Sequence, residues 1–161
     1  MGNRAVITTS QEYYTGGVGI YLHWNGGRDS VEGFLKYCDL RGFRTVQTDS
    51  YGWARLVQVI ANFMGGDGTS VGIDRCTNLD CDNYDNGVYF IKRWEIVGRQ
   101  FFRGRYEQQE YPLIDMLKAI DQAQPEDQQL GEQMIQDLLD EGKTIDLGFH
   151  GIDWNHPLPC A

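Results

Sequence analysis

Apolar positions recur along this chain at two spacings, every second residue or every three to four, and the changes of spacing divide it into elements. Arg4 to Thr9 (RAVITT) predicts a first strand, and Ser10 to Gly17 is a polar, glycine-ended loop. Val18 to Trp24 predicts a second strand, with Ile20, Leu22 and Trp24 on one face and Tyr21 and His23 on the other. Asn25-Gly26-Gly27 breaks it. Val31, Phe34, Leu35 and Cys38 then fall at i, i+3, i+4 and i+7, the stripe of a helix. Asp29 is the expected N-cap of that helix, with Glu32 as the other half of a capping box, and Gly42 the expected left-handed end.

A second helix follows from Asp49 or Ser50, its apolar side formed by Trp53, Leu56, Val57, Ile60, Ala61 and Met64, and Gly65-Gly66-Asp67-Gly68 stops it. Ser70 to Asp74 is short and strand-like, and Arg75 to Gly87 is a loop. Val88–Ile91 and Trp94–Val97 predict a hairpin turning at Lys92-Arg93. From Tyr111 the helical period returns. Pro112 suits N1 of one helix (Leu113, Met116, Leu117, Ile120) and Pro125 suits N1 of the next (Leu130, Met134, Ile135, Leu138, Leu139), which Gly142 ends. The short link at Gln122–Gln124 implies an antiparallel helical pair. The tail has no clear period, and its Phe149, Ile152 and Trp154 are expected to dock on the body.

The order β-β-α-α-β-β-β-α-α predicts an α+β fold, a small, largely antiparallel sheet with helices packed on it. A length of 161 residues fits a single domain over 1–161: an α+β body at 1–105, an acidic helical pair at 106–142 and a C-terminal tail at 143–161.

Charge sharpens that division. Residues 1–105 carry a net charge of +1 and residues 106–161 a net charge of −10. An acidic C-terminal third argues against general nucleic-acid binding, which needs cations to neutralise phosphates. It fits either a solvated face or a surface, including Glu126, Asp127, Glu132, Asp137 and Asp140, that meets a basic partner. No apolar run approaches the roughly 18–20 residues of a membrane span. The first ten residues lack a signal-peptide core, and Val6 breaks the myristoylation pattern. The irregular spacing of Cys38, Cys76, Cys81 and Cys160 reads as reduced thiols, so the expected location is cytoplasmic and without a membrane.

The candidate ligand site is His23, Asn25, Gly26, Gly27, Arg28 and Asp29. Paired glycines before a helix let backbone N–H groups approach an anion, and Arg28 can add a bidentate phosphate contact. The stretch matches neither phosphate-binding glycine motif, and an Asp29 cap competes for the same N–H groups, so a plain β–α turn stands beside the ligand reading.

Cys76 and Cys81, with His23, His150 and His156, have permissive zinc-ligand spacings, but nothing in the sequence brings the pairs together, and no metal or other cofactor is expected. Asp80 to Gly87 is rich in oxygen ligands yet fails the EF-hand pattern, because its sixth position is Asp85 and its twelfth Ile91; it reads as a hydrogen-bonded Asx turn. No nucleophile motif appears, so no catalytic residue is assigned. The four Trp and nine Tyr exceed an ordinary core's needs. Tyr13, Tyr14 and Tyr51 lie beside loops, where aromatic rings near Arg can stack a base or anchor a protein, whereas most of the Trp are expected to pack in the core.

Four segments in order, GNRAVIT, IYLHWNGGRDSVEGFLKYC, YGWARLVQVIANF and DNGVYFIKRWEIVGR, resemble a family of small proteins from Firmicutes and their phages and prophages. The resemblance covers roughly residues 1–125. It implies a mobile-element context and carries no assigned activity. By analogy of size and charge, it points to a non-enzymatic binding protein that interferes with a host defence component, by occluding a host protein or sequestering a small nucleotide. The alternative is a small enzyme acting on a nucleotide or other phosphorylated substrate, and a third reading is a structural or assembly protein with no ligand. Oligomeric state is not legible.

Overall fold

The computed structural model describes residues 2–9, 17–65, 70–100 and 110–142. Strands β1 (Ala5–Thr8) and β2 (Val18–Leu22) are followed by helices α1 (Arg28–Leu40) and α2 (Ser50–Met64). Strands β3 (Val71–Arg75), β4 (Val88–Lys92) and β5 (Glu95–Gln100) come next, then helices α3 (Leu113–Gln122) and α4 (Glu132–Glu141). The fold is α+β, and the element order is the one the periodicity predicts.

The strands form one sheet in the order β3-β2-β1-β4-β5. Pairing is antiparallel except between β1 and β4, where Val6, Ile7 and Thr8 lie parallel to Val88, Tyr89 and Phe90. The two-residue period decides the layers. Ala5, Ile7, Ile20, Leu22, Tyr89 and Ile91 face the helices and share one core with Phe34, Leu35, Leu56, Ile60, Leu117, Ile120 and Ile135. Val6, Val88 and Phe90 face the other way, into a smaller cluster closed by Cys76 and Cys81, with Tyr21 and Leu79 against it. The helices therefore cover one face, and the 76–87 loop covers part of the other. At Gly33 on α1, an added Cβ would lie 3.0 Å from Ile120 Cδ1 and 3.1 Å from Met116 Cβ, so α1 and α3 approach closely.

Several local expectations need correction. Gly27, not Asp29, is the N-cap of α1, and it offers no side-chain cap. No capping box forms, because Glu32 pairs with Arg28 at 2.7 Å. Strand β2 stops at Leu22, its last residue paired to both neighbours, so Trp24 leaves the sheet and is exposed. The hairpin turns one residue later than expected, at Arg93-Trp94 between the paired Lys92 and Glu95, and its register shifts at Phe90/Ile91. Arg93 takes a left-handed φ of 56° there. Pro112 is the N-cap of α3, not its first residue. Pro125 opens only a 3-10 turn (Glu126–Gln128), and α4 begins at Glu132 after Gly131 at φ 86°. Asp121 delays that start by accepting the N–H groups of Leu130 and Gly131. The Gln122–Gln124 link of an immediate helical pair is thus a longer connection. Asp49 caps α2 through Tyr51 N–H, and Gly42 and Gly142 take the expected left-handed conformation. Phe149, Ile152 and Trp154 lie outside the described residues.

Candidate functional site

The glycine turn lies where β2 leaves the sheet. Asn3 N–H donates to His23 C=O at 2.9 Å, and His23 N–H donates to Ser70 C=O at 3.0 Å, which fixes the end of the strand. The His23 ring shares a 3.1 Å hydrogen bond with the Tyr21 hydroxyl and stands edge-on to Trp24. Asn25 takes a φ of +55°, a conformation its short polar side chain tolerates, and donates to Ser30 Oγ at 3.3 Å.

Gly26 is buried against β1. Its N–H donates to Asn3 C=O at 2.7 Å, and its C=O accepts from the Tyr89 hydroxyl at 2.9 Å. An added Cβ would meet Asn3 O at 2.6 Å and Arg4 C at 2.7 Å, so only glycine fits. Gly27 has an ordinary extended conformation, φ −65°. The need for glycine is a close approach at Gly26, not a positive φ at Gly27.

The charged pair that follows works inside the fold. Arg28 Nε bonds Glu32 Oε1 one turn along the helix. Asp29 is buried; its Oδ1 accepts from Ser30 N–H at 2.7 Å, and its Oδ2 accepts from Glu110 and Tyr111 N–H at 3.0 and 3.1 Å. This carboxylate anchors the approach to α3 on the first turn of α1. The six sequence-picked residues are therefore contiguous in space, with Gly26 and Asp29 committed to packing and anchoring.

Sequence reasoning missed the residues that share this end of the sheet. Asn86 Nδ2 donates to Asn3 Oδ1 and to Arg4 C=O. Arg99 Nε donates to Asn86 C=O at 3.1 Å, Nη2 donates to Asn86 Oδ1 at 3.2 Å, and the guanidinium lies 4.4 Å from the Tyr89 ring centre. Asn86-Gly87 was the one available signal, and it reads locally as a turn.

The Asp80–Gly87 loop is the hydrogen-bonded Asx turn its composition predicts. Buried Asn83 donates to Asp80 and Gly87 C=O and accepts from Asp85 and Gly87 N–H. Asp85 Oδ2 takes both Arg4 N–H and Arg4 Nε, and that contact raises the arginine's pKa further. Among the described residues, no three metal-ligating side chains converge; His150, His156 and Cys160 lie outside them. Burial pushes the Cys38 thiol well up, which removes it as a nucleophile. A cleft of about 280 Å³ lies between α1, β5 and Leu113, with Glu32, Lys36, Trp94 and Glu95 on its walls. Of the loop-side aromatics, Tyr51 is exposed beneath the Arg44 guanidinium, and Tyr13 and Tyr14 lie outside the described residues.

The sequence-picked acidic residues lie on the other arm. Glu126 and Asp127 form the exposed 3-10 turn, and Glu132, Asp137 and Asp140 are exposed on α4. Asp137 and Asp140 accept from Gln133 and Gln136, one turn back on the same helix. Lys118 reaches Glu132 only at 3.8 Å. No helix among the described residues is long and apolar enough to cross a membrane. Comparison with protein-family models, with curated proteins and with solved structures finds no match in any of the three.

Proposed function

We propose that the chain is a phage- or prophage-type binding protein, acting in the cytoplasm, that interferes with a host defence component by occluding a basic protein surface. The observation that supports this reading is the placement of Glu126, Asp127, Glu132, Asp137 and Asp140 on exposed, hydrogen-bonded elements, in a stretch (110–142) whose one basic residue is Lys118. A like-charged surface on a regular scaffold steers an oppositely charged partner and raises its association rate. The commitment of Gly26 and Asp29 to packing favours protein occlusion over nucleotide sequestration at the turn.

Partner capture from a phage host, followed by association kinetics, tests this. A variant carrying Glu126→Gln, Asp127→Asn, Asp137→Asn and Asp140→Asn should associate with the captured partner about tenfold or more slowly at low salt. Wild type should slow towards the variant as salt rises. Equal rates for the two proteins at every salt concentration would refute the reading. If the protein instead sequesters a nucleotide or turns one over, Arg28→Ala weakens that activity and the acidic exchange does not.

A further inference from the structure

We propose that Cys76 and Cys81 form a peroxide-reactive dithiol that closes reversibly to an intramolecular disulfide, fastening the 76–87 loop to itself over the sheet face opposite α1–α4. The sulfurs lie 3.6 Å apart, within about 2 Å of the bonded distance. The backbone already makes the bend: Cys76 opens a 3-10 turn, and Cys81 N–H donates to Leu79 C=O. Cys76 N–H donates to Gly17 C=O, which ties this end of the loop to the start of β2.

The surroundings select the reagent. Cys76 is fully buried and Cys81 is 7% exposed, in an apolar cluster with Val6, Val88 and Phe90. The loop lies so close to the sheet that a Cβ added at Gly19 would stand 2.8 Å from Leu79 Cδ1. A small hydroperoxide can enter where a tripeptide disulfide cannot. The Cys81 thiol donates to Cys76 C=O at 3.4 Å and so keeps its proton, while its contact with the Cys76 sulfur lowers the pKa of Cys76, which makes Cys76 the attacking sulfur. Cys38 is buried in the other core, with its pKa raised mainly by burial, and provides an internal control.

The chemistry balances with hydrogen peroxide as oxidant. The Cys76 thiolate attacks one peroxide oxygen, the O–O bond breaks, and the departing hydroxide takes a proton to leave as water. Cys76 is then a sulfenic acid. The Cys81 sulfur attacks the Cys76 sulfur, forming S–S and breaking S–O; the Cys81 proton and the released hydroxide leave as a second water. Two thiols lose two electrons and one peroxide gains them. A dithiol reductant reverses the step by exchange.

The test uses the full chain with Cys160→Ser, treated with hydrogen peroxide and digested with trypsin without reduction. Arg75 and Lys92 bound a single peptide that holds both cysteines. That peptide should become about 2 Da lighter, regain its mass with a dithiol reductant, and show no reaction with bulky oxidised glutathione. Adding Cys81→Ser should leave Cys76 as a sulfenic acid that a dimedone probe traps, a product that should not accumulate when Cys81 is present. An unchanged peptide, a disulfide between two chains, stepwise oxygen addition with both cysteines present, or equal dimedone labelling with and without Cys81 overturns the proposal.

Discussion

The Tyr37 hydroxyl on α1 donates a 2.7 Å hydrogen bond to Oδ1 of Asp121 on α3, and both residues are buried. The same oxygen accepts Leu130 N–H at 2.8 Å, and Oδ2 accepts Gly131 N–H at 2.9 Å. One carboxylate therefore joins α1, α3 and the entry to α4. Asp121→Ala should lower unfolding free energy by about 1.5–3 kcal/mol, the range for hydrogen bonds to a charged group. Urea melts of Asp121→Ala, Tyr37→Phe and the double variant should show non-additivity, because the two single changes remove a shared contact.

Burial, and secondarily the bond to Asp121, raise the Tyr37 pKa well above its ordinary value near 10. The folded state then keeps a proton that the unfolded chain releases. The contribution is complete below pH 10 and is lost progressively as pH rises above it towards the folded value. Stability measured between pH 9 and pH 11 should fall more steeply for wild type than for Tyr37→Phe. Parallel curves would remove Tyr37 from the alkaline transition.

Gly26→Ala should destabilise the fold by about 1–3 kcal/mol, the range for overpacking a filled site, because the neighbours it meets are backbone atoms of Asn3 and Arg4. Gly27→Ala should cost less, since its φ of −65° suits any residue. Thermal melting of the two variants compares them directly; a larger loss at Gly27 would contradict the close approach at Gly26.

Asn83→Ala leaves the N–H groups of Asp85 and Gly87 without their side-chain acceptor. It should cost about 1–3 kcal/mol and raise hydrogen exchange across the Asp80–Gly87 loop more than in the helices. Uniform exchange changes across the whole chain would mean that the loop is not an independently opening unit.

Arg28→Ala removes an i,i+4 ion pair with about a third of each side chain exposed. The expected stability change is within about 0.5 kcal/mol. Arg28 can therefore be substituted in binding assays with the fold intact, and circular dichroism with a urea midpoint near wild type would verify that.

What was legible in the sequence is what neighbours in the chain decide. The period of apolar residues locates the five strands and four α-helices of the described residues in order, Asp49 caps α2, and Gly42 and Gly142 close helices as local rules require. What was hidden depends on partners far along the chain. Asp29 has the sequence context of an N-cap, yet its carboxylate serves Glu110 and Tyr111, more than eighty residues away. Pro125 looks like a helix start, yet Asp121 holds Leu130 and Gly131 in a loop. The candidate site divides the same way: His23 to Asp29 is one contiguous run, whereas Asn3, Asn86 and Arg99 reach it only through sheet pairing.

The parallel pairing of β1 with β4 has a consequence for synthesis on the ribosome. Val6 pairs with Val88, so a growing chain that has exposed only residues up to Arg75 can assemble β1, β2 and β3 but leaves β1 as an open edge. That edge carries Val6 and Ile7, both wholly buried in the finished fold. Until β4 emerges, it offers unpaired backbone groups to any other extended chain. Synthesis that pauses between Arg75 and Val88 should therefore expose a sticky intermediate, and the strand made first is among the last to be fully enclosed.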